Sequence, residues 1–246
     1  MQASDPVFPA VITRHWEEEY QRGHVLVTQP SFRLMCRTDL EEGYDAMWLR
    51  MAQEDRIQIT DDLAGRLRLQ QHPVMSRDEF LSRIAHNELH WGHADQFFYL
   101  TTQAESALLN AKFPDYVRTL TAADEAIFTR LCAENNEDDL EIAGVEPDHH
   151  LVYGVFKNRQ LVAAASAYPW ETSRLMDIGV LTHPGYRKQG FASLAVRALS
   201  HAALQAGFTP QYRCQLNNEP SLALAEHSGF TPFAQWDFII AGGNEA

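Results

Sequence analysis

The chain has 246 residues, of which 45% are apolar and 22% charged, a composition typical of globular proteins that bury a core without disulfides or metals. Its 20 Lys and Arg against 33 Asp and Glu give a formal net charge of −13, which argues against nucleic acid or an anionic membrane surface as the main partner. The length fits one large domain or two small ones.

The cysteines and the N-terminus indicate a reducing, intracellular setting. Cys36, Cys132 and Cys214 lie far apart and have neither metal-ligand spacing nor the even number of a disulfide framework. The first residues lack the basic and apolar regions of a signal peptide, and no apolar run approaches the roughly 18 residues of a membrane span. We therefore expect a soluble cytoplasmic protein, and the sequence leaves a homodimer open.

Residues 1–112 combine strands and helices in the manner of a small α+β domain whose role the sequence does not reveal. Strand-forming residues predict strands, and apolar residues at helical spacing predict helices. The predicted strands are His24–Thr28, Phe32–Met35 and Phe97–Leu100, and the predicted helices are Glu41–Arg56, Asp61–Leu69 and a helix from 77 to about 89. The last helix begins with the capping box Ser76-Arg-Asp-Glu79.

A group of histidines in this half is a candidate metal site. His86 and His90 are four residues apart, as ligands on one helical face can be, with His93 close by. Glu88, however, is not where the His-Glu-x-x-His motif of metalloproteases places its glutamate. The alternative is a helix end, where histidine interacts with the last carbonyls. We therefore expect no metal cofactor.

Residues 113–246 show a regular succession of elements. A capping arrangement of Thr121 with Asp124 opens the first helix, whose apolar stripe runs from Ile127 to Cys132. The predicted order is strand, helix, helix, three strands, helix, strand, helix, strand. The predicted strands are Tyr116–Leu120, Leu151–Phe156, Leu161–Ala165, Met176–Leu181, Gln211–Leu216 and Phe238–Ile240, and the later helices are Asp138–Ala143, Gly190–Ala206 and one that opens at Asn217–Pro220.

The stretch from Ile178 to Ser193 is the candidate binding element. An apolar strand ends at His183-Pro184, a short basic loop follows, and helical spacing begins at Gly190. The first N–H groups of a helix lack intrahelical partners and lie at the positive end of its dipole, so they bind anions such as a pyrophosphate. Arg187 and Lys188 add cationic side chains, although a solvated loop would also contain them.

The motif Arg187-x-x-Gly190-x-Ala192 resembles the coenzyme A signature of the GNAT superfamily, the acyl-CoA-dependent N-acetyltransferases. The element order and the ending Asn217-x3-Ser221-x7-Gly229-Phe230 are similar to that family as well. The resemblance implies the GNAT fold, an α+β fold with a mixed sheet, for the domain 113–246, preceded by the smaller α+β domain 1–112.

The resemblance also implies where acetyl-CoA binds. Acyl-CoA would lie where the fourth strand parts from the fifth, with its pantetheine arm paired to backbone groups like an added strand. Backbone amides at the helix start would hold its pyrophosphate. The implied cofactor-binding residues are Val180, Leu181, Thr182, Arg187, Lys188, Gln189, Gly190, Phe191, Ala192, Ser193, Asn217, Asn218 and Ser221. Val180 and Leu181 would face a core in any fold, and either asparagine could simply cap the next helix.

The resemblance leaves more than one assignment of the catalytic groups. Many family members carry a tyrosine four residues before the Gly-Phe glycine as the acid that protonates the thiolate, and this chain has Ala225 there. Ser221 is the first substitute, and the others are Tyr212, His227 and Ser228. Asp177 on the fourth strand is the first candidate for the general base; Glu171, His183 or a water chain are alternatives, and Asp177 could instead be a solvent-facing strand residue.

The resemblance implies an enzyme that transfers an acetyl group from acetyl-CoA to a primary amine of a small molecule or a protein, by direct attack in a ternary complex. The departure at Ala225 leaves open a catalytically silent acyl-CoA-binding regulatory module. A metallohydrolase built on the histidines is the weakest alternative. Acceptor specificity would come from the segments 116–136 and 167–171, where Tyr168 and Trp170 could line a pocket, and the first domain could contribute as well.

Overall fold

The computed structural model describes residues 6–69 and 75–241, which form two compact units. The first unit contains the residues up to Ile12, Phe98–Arg213 and Glu219–Thr231, and the second contains Thr13–Phe97, Cys214–Asn218 and the residues from Pro232 onward. Neither unit is continuous in sequence. The domain boundary predicted between residues 112 and 113 stays a prediction.

The described residues form eleven strands and eight α-helices. The strands are β1 (His24–Gln29), β2 (Phe32–Cys36), β3 (Tyr44–Arg50), β4 (Asp55–Ile59), β5 (Asp95–Tyr99), β6 (Val117–Thr119), β7 (Leu151–Lys157), β8 (Gln160–Pro169), β9 (Leu175–Thr182), β10 (Thr209–Gln215) and β11 (Thr231–Ile240). The helices are α1 (Ala10–Glu19), α2 (Asp61–Arg66), α3 (Arg77–His86), α4 (Thr102–Leu109), α5 (Glu125–Ala133), α6 (Glu137–Ala143), α7 (Phe191–Gln205) and α8 (Glu219–His227).

The first unit is built on neighbouring strands in the order β10-β9-β8-β7-β6. The pairs β6–β7, β7–β8 and β8–β9 are antiparallel, whereas β9 and β10 are parallel. All seven residues from Leu161 to Ala167 of β8 are buried, so both faces of this strand are covered. Helices α5 and α7 both pack against β8, and α7 also packs against β7 and β9.

The second unit contains the strand order β1-β2-β4-β3-β11. Strand β11, from the end of the chain, pairs antiparallel with β3 so that Trp236 lies opposite Leu49. This long-range pairing is the reason why the unit combines early and late segments of the sequence. Its core is apolar and includes Phe32, Leu34, Ile57 and Phe80.

The sequence predictions for the C-terminal half are confirmed in element type and order, from β6 through α5 and α6 to β11. The capping box at the start of this half is also present. The backbone N–H of Thr121 donates to Asp124 Oδ2 at 3.0 Å, and Thr121 Oγ1 donates to the same oxygen at 3.2 Å. The mixed α+β fold predicted for the chain is the fold observed.

One helix predicted in the N-terminal half is wrong. The segment 41–56 forms strand β3, a turn and the start of β4 instead of a helix. Residues Ala46–Leu49 are all buried, so the strand lacks the alternation of apolar and polar residues that marks a half-exposed sheet. The helix prediction rests on Met47, Trp48 and Met51, whose helical spacing is coincidental.

Other details of this half differ in smaller ways. The helix predicted for 77–89 ends at His86, although Ser76 caps it as predicted by accepting from the Glu79 N–H at 3.1 Å. His90 therefore does not share a helical face with His86, whose Nδ1 lies 2.6 Å from the Ser82 carbonyl oxygen. Helices α1 and α4 were not predicted. None of the helices within 6–69 and 75–241 is long and apolar enough to cross a membrane.

Candidate functional site

Strands β9 and β10 part at a defined point in the first unit. Their register runs from Thr209 opposite Leu175 to Tyr212 opposite Ile178 and goes no further. Strand β9 itself continues to Thr182 and stays paired with β8 over that length. The backbone of β9 after Ile178 is therefore paired on the β8 side and open on the β10 side. The predicted residues Val180, Leu181 and Thr182 lie in this open segment.

Gly179 stands at the point of parting, where α6 approaches the strand. A Cβ added to Gly179 would lie 2.3 Å from the Ala143 carbonyl oxygen and 2.6 Å from that of Gly144. Only glycine allows the backbone at the end of α6 to lie this close to β9. The sequence analysis did not single out this residue, because its requirement comes from a segment 35 residues earlier in the chain.

The loop after β9 turns sharply into α7. It contains a short 3₁₀ turn, Pro184–Tyr186, at whose start His183 Nδ1 accepts from the Gly185 N–H at 3.0 Å. Lys188 and Gly190 have φ angles of 59° and 83°, in the left-handed region that glycine adopts without steric cost. Helix α7 then begins at Phe191, one residue after the predicted start.

Gly190 leaves open space at the helix start. It is exposed, and a Cβ built on it would meet nothing within 4 Å. The Leu194 N–H donates to the Gly190 carbonyl at 3.0 Å, so the amides of Phe191, Ala192 and Ser193 precede the first intrahelical hydrogen bond. These amides lie at the positive end of a 15-residue helix, as the anion-binding prediction requires.

The side chain of Arg187 is engaged within the protein. Its Nη2 donates to Asp139 Oδ2 at 2.8 Å and to Asn135 Oδ1 at 2.9 Å, which ties the loop to the region of α5 and α6. The pair is half-exposed, so its energetic contribution is modest. The predicted contact of Arg187 with a cofactor stays a prediction, and in this structure the guanidinium positions the loop.

Lys157 is a cation at this loop that the sequence analysis missed. Its Nζ lies 5.4 Å from the ring centroid of Tyr186 and 5.3 Å from that of Phe191, and it donates to Gln189 Oε1 at 3.5 Å. Lys157 is the last residue of β7, and the hairpin with β8 brings it to the loop. The strands on either side of Lys157 were predicted, but the proximity of their connection to this loop was not predictable from spacing.

Asp177 is buried in a hydrogen-bonded network, so its alternative interpretation as a solvent-facing strand residue is wrong. Gln211 Nε2 donates to Asp177 Oδ1 at 3.2 Å, while Arg213 Nη2 and the Tyr168 hydroxyl donate to Oδ2 at 3.3 and 3.4 Å. The Tyr99 hydroxyl in turn donates to Gln211 Oε1. Burial raises the pKa of the Asp177 carboxyl, and its charged and polar neighbours only partly offset that rise.

One end of this network reaches the surface. Tyr168, whose hydroxyl donates to the buried carboxylate, is 38% exposed as a residue. Trp170 lies beside it, with the Arg213 guanidinium 5.1 Å from its ring centroid. The His149 ring packs against the Tyr168 ring with 4.8 Å between the centroids, and His149 Nδ1 lies 2.8 Å from Ser166 Oγ. These side chains form a polar and aromatic cluster at the Tyr168 end of the network.

Ser221 contacts a second candidate for the acid. Its Oγ lies 2.8 Å from the hydroxyl of Tyr212, and either group could be the donor. Tyr212 is buried and is the last residue of β10 that pairs with β9. The Tyr212 member of this hydroxyl pair therefore belongs to the residue at which the two strands part. Ala225, which replaces the family tyrosine, is fully buried in α8.

The remaining predicted residues have other settings. Ser193 Oγ donates to the His227 carbonyl at 3.4 Å and accepts from Ser228 Oγ at 3.1 Å, so its side chain joins α7 to the end of α8. Asn217 and Asn218 lie in the turn that follows β10 and belong to the second unit. Their roles stay predictions.

Comparison with known proteins identifies the family of this region. Residues 118–239 match the family model of the GNAT acetyltransferase. No curated protein matches the chain.

Solved structures similar to the chain are remote in sequence. A GNAT-family acetyltransferase from Colwellia psychrerythraea has a TM-score of 0.50 and 19% identity over 68% of this chain and 63% of its own. A GNAT-family protein from Novosphingobium aromaticivorans gives 0.46 and 18% over 63% and 66%, and a GCN5-related N-acetyltransferase from Kribbella flavida gives 0.45 and 17% over 67% and 64%. The chain thus spans just under two thirds of the length of each. Residues 118–239 of the chain form a GNAT acetyltransferase domain.

Proposed function

We propose that the protein transfers an acetyl group from acetyl-CoA to a primary amine of a small molecule or a protein, by direct attack of the amine in a ternary complex. The observation that carries this proposal is the parting of β9 and β10 after the Ile178–Tyr212 pair, next to the open helix start at Gly190. Acetyl-CoA supplies the activated thioester, so the protein needs no nucleophile of its own and acts by positioning, proton transfer and charge stabilisation.

The residues at the parting fit acetyl-CoA. The open edge of β9 at Val180–Thr182 offers backbone groups to an extended pantetheine arm, as in β-strand addition. The amides from Gln189 to Ser193 offer donors to the pyrophosphate, and the absence of a Cβ at Gly190 leaves room for it. Lys188 and Lys157 place positive charge at the same loop.

Asp177 is our candidate for the general base. An amine attacks only when neutral, so a proton must leave it, and burial raises the pKa of Asp177, which makes its carboxylate a better proton acceptor. Because Asp177 is buried, we propose that the Tyr168 hydroxyl carries the proton between the amine and Oδ2. Gln211 and Tyr99 hold the other side of the carboxylate and act as positioning residues.

The hydroxyl pair of Tyr212 and Ser221 is our candidate for the general acid. It takes the role that the family tyrosine has elsewhere and that Ala225 cannot perform. A proton given by one hydroxyl to the departing thiolate can be replaced from the other, which is 2.8 Å away. This assignment keeps Ser221 as a catalytic residue and adds Tyr212 as its hydrogen-bond partner.

The second candidate function is a catalytically silent module that binds acyl-CoA and regulates another process. The buried Ala225 favours it, because the usual acid is missing from α8. The two functions share the same binding site and differ only in turnover.

Acetyl-CoA binding by calorimetry, followed by release of free thiol in the presence of a panel of amines, separates the two functions. Binding with amine-dependent thiol release supports the enzyme, and binding without release across the panel supports the silent module. Absence of acetyl-CoA binding overturns both.

The site is tested by Gly190→Trp, with Gly207→Trp as a matched control at the other end of α7. Both glycines have left-handed φ angles, 83° and 80°, and open space where a Cβ would lie, so both variants carry the same backbone strain. We expect Gly190→Trp to weaken acetyl-CoA binding by about 100-fold or more, because the indole fills the pyrophosphate position. Equal affinity in the two variants would falsify the site.

A further inference from the structure

We propose that His24, Cys36 and Asp61 form a binding site for Zn²⁺ or a similar divalent transition metal in the second unit. Each residue offers one ligand atom, and these three atoms all lie within 4.8 Å of one another. Within the described ranges 6–69 and 75–241, this is the only group of three or more His, Cys, Asp or Glu side chains that meets the condition.

The sheet brings the three residues together at the same end of three neighbouring strands. His24 is the first residue of β1 and lies directly opposite Cys36, the last residue of β2, in an antiparallel pair. Residues directly opposite each other in such a pair project from the same face. Strand β4 runs parallel to β2 with Ile59 beside Cys36, so the chain reaches Asp61 two residues beyond this point.

The ligand types select a metal class. Thiolate, imidazole and carboxylate are the three ligands that proteins use for Zn²⁺, and a set of three protein ligands leaves a fourth tetrahedral position for water. Cys36 is buried, whereas His24 and Asp61 are exposed, so the metal could enter from solvent. A thiolate and a carboxylate together balance the charge of a divalent cation, and the sulfur ligand argues against Mg²⁺ or Ca²⁺.

The distances require only a small adjustment. Zinc bonds of about 2.0–2.3 Å in a tetrahedron place ligand atoms about 3.3–3.8 Å apart. Side-chain movements of about 1 Å therefore suffice to bring the three ligand atoms into this geometry. In the structure the Cys36 thiol donates to Asp61 Oδ1 at 3.0 Å. Metal binding would replace this hydrogen bond with two metal–ligand bonds, and the thiol proton would pass to water.

The neighbouring cation Arg37 does not oppose a metal here. Arg37, the residue after Cys36, is buried and donates to carboxylates of Glu19 and Asp39, so its charge is balanced on site. Its Nη1 also donates to Gln58 Oε1 at 3.0 Å. This proposal differs from the sequence expectation of no metal, which considered the histidines and the cysteines by their spacing along the chain. It does not depend on the acetyltransferase activity.

Metal binding is tested on the full chain without an affinity tag, after removal of metals by chelation. We titrate it with Co²⁺ and Zn²⁺. The proposal predicts one Co²⁺ per chain with a cobalt–thiolate charge-transfer band in the near ultraviolet, displacement by Zn²⁺, and a rise in the melting temperature with added Zn²⁺.

Two matched variants separate this cluster from other ligands. Cys36→Ser should abolish the charge-transfer band and weaken Zn²⁺ binding by about 100-fold or more, since even outer-shell changes at zinc sites cost 10- to 100-fold. Cys132→Ser, which removes a half-buried thiol outside the cluster, and His90→Ala should leave both unchanged. If Cys36→Ser fails to fold, Asp61→Asn at the exposed ligand should likewise weaken Zn²⁺ binding, and the thiolate band should then need more Co²⁺ to develop. Absence of stoichiometric metal, or binding that His90→Ala removes and Cys36→Ser and Asp61→Asn do not, overturns the proposal.

Discussion

Two carboxylates of the GNAT domain, Asp177 and Asp124, are both buried and both paired with an arginine, yet their pKa values shift in opposite directions. Asp124 receives two short hydrogen bonds from Arg118, at 2.7 and 2.9 Å, and closes the capping box with Thr121. These hydrogen bonds hold its pKa well below the ordinary value. Asp177 receives only longer hydrogen bonds, of 3.2 to 3.4 Å, and its burial raises the pKa.

This difference shows that an arginine partner alone does not determine the pKa of a carboxyl group. A bidentate pair with added backbone and hydroxyl donors stabilises the ionised form more than burial penalises it. Where the hydrogen bonds are longer and the carboxyl is enclosed, the cost of burying the charge prevails and the ionised form is destabilised. We infer that Asp124 serves stability and Asp177 serves function, and matched Asp→Asn substitutions test the distinction.

The largest effect is expected for Asp177→Asn. Loss of the general base should lower the acetyl-transfer rate by about 100-fold or more at neutral pH, with little change in acetyl-CoA affinity. The free energy of unfolding should stay equal or rise, because the variant removes a buried charge that the fold tolerates poorly. Steady-state kinetics and urea unfolding measure the two quantities. An unchanged rate would show that another group accepts the proton.

A smaller and opposite effect is expected for Asp124→Asn. The variant should lose about 1–2 kcal/mol of unfolding free energy, since a charged capping residue and its pair with Arg118 are weakened. Its rate and acetyl-CoA affinity should match those of the parent. Arg118 is half-exposed, so a value near the lower end is expected. A rate loss as large as that of Asp177→Asn, with unchanged stability, would reverse our assignment of the two roles.

The pH dependence of stability sharpens the comparison further. Folding lowers the pKa of Asp124. Its contribution to the free energy of unfolding is therefore present above the ordinary aspartate pKa near 4 and is lost as pH falls through the pKa of the folded state. Folding raises the pKa of Asp177. Its contribution to the free energy of unfolding is therefore present below the ordinary aspartate pKa and is lost as pH rises through the pKa of the folded state. The stability gap between the parent and Asp124→Asn should therefore shrink in acid, whereas any stability gain of Asp177→Asn should appear only as pH rises.

The C-terminal half of the fold was predictable because each of its elements carries a local signal. Thr121 and Asp124 mark a helix start, and Gly207 and Gly229 follow the ends of α7 and α8 with left-handed φ angles. In the N-terminal half such signals were weaker or were not used. Helix α1 has a usable one, since Ile12, Trp16 and Tyr20 are buried at intervals of four residues. Helix α4 has a single buried residue, Leu108, and therefore little periodicity.

The candidate site was predictable only where chemistry is local in sequence. The anion-binding helix start follows from the loop and Gly190 alone, whereas the surroundings of Asp177 depend on strand register. Gln211 lies opposite Asp177 in β10, and Tyr168 lies opposite it in β8. Spacing along the chain does not give such cross-strand neighbours. The same reason explains why the cluster of His24, Cys36 and Asp61 emerges only from the structure.

A crystal structure of the protein with acetyl-CoA tests the central claim most directly. The proposal predicts density for the pyrophosphate at the amides of Gln189–Ser193, with the pantetheine arm along Val180–Thr182. The thioester should then lie between the Tyr168 and Ser221 hydroxyls. Density for the cofactor at any other surface, or a site that stays empty at saturating acetyl-CoA, would contradict the account.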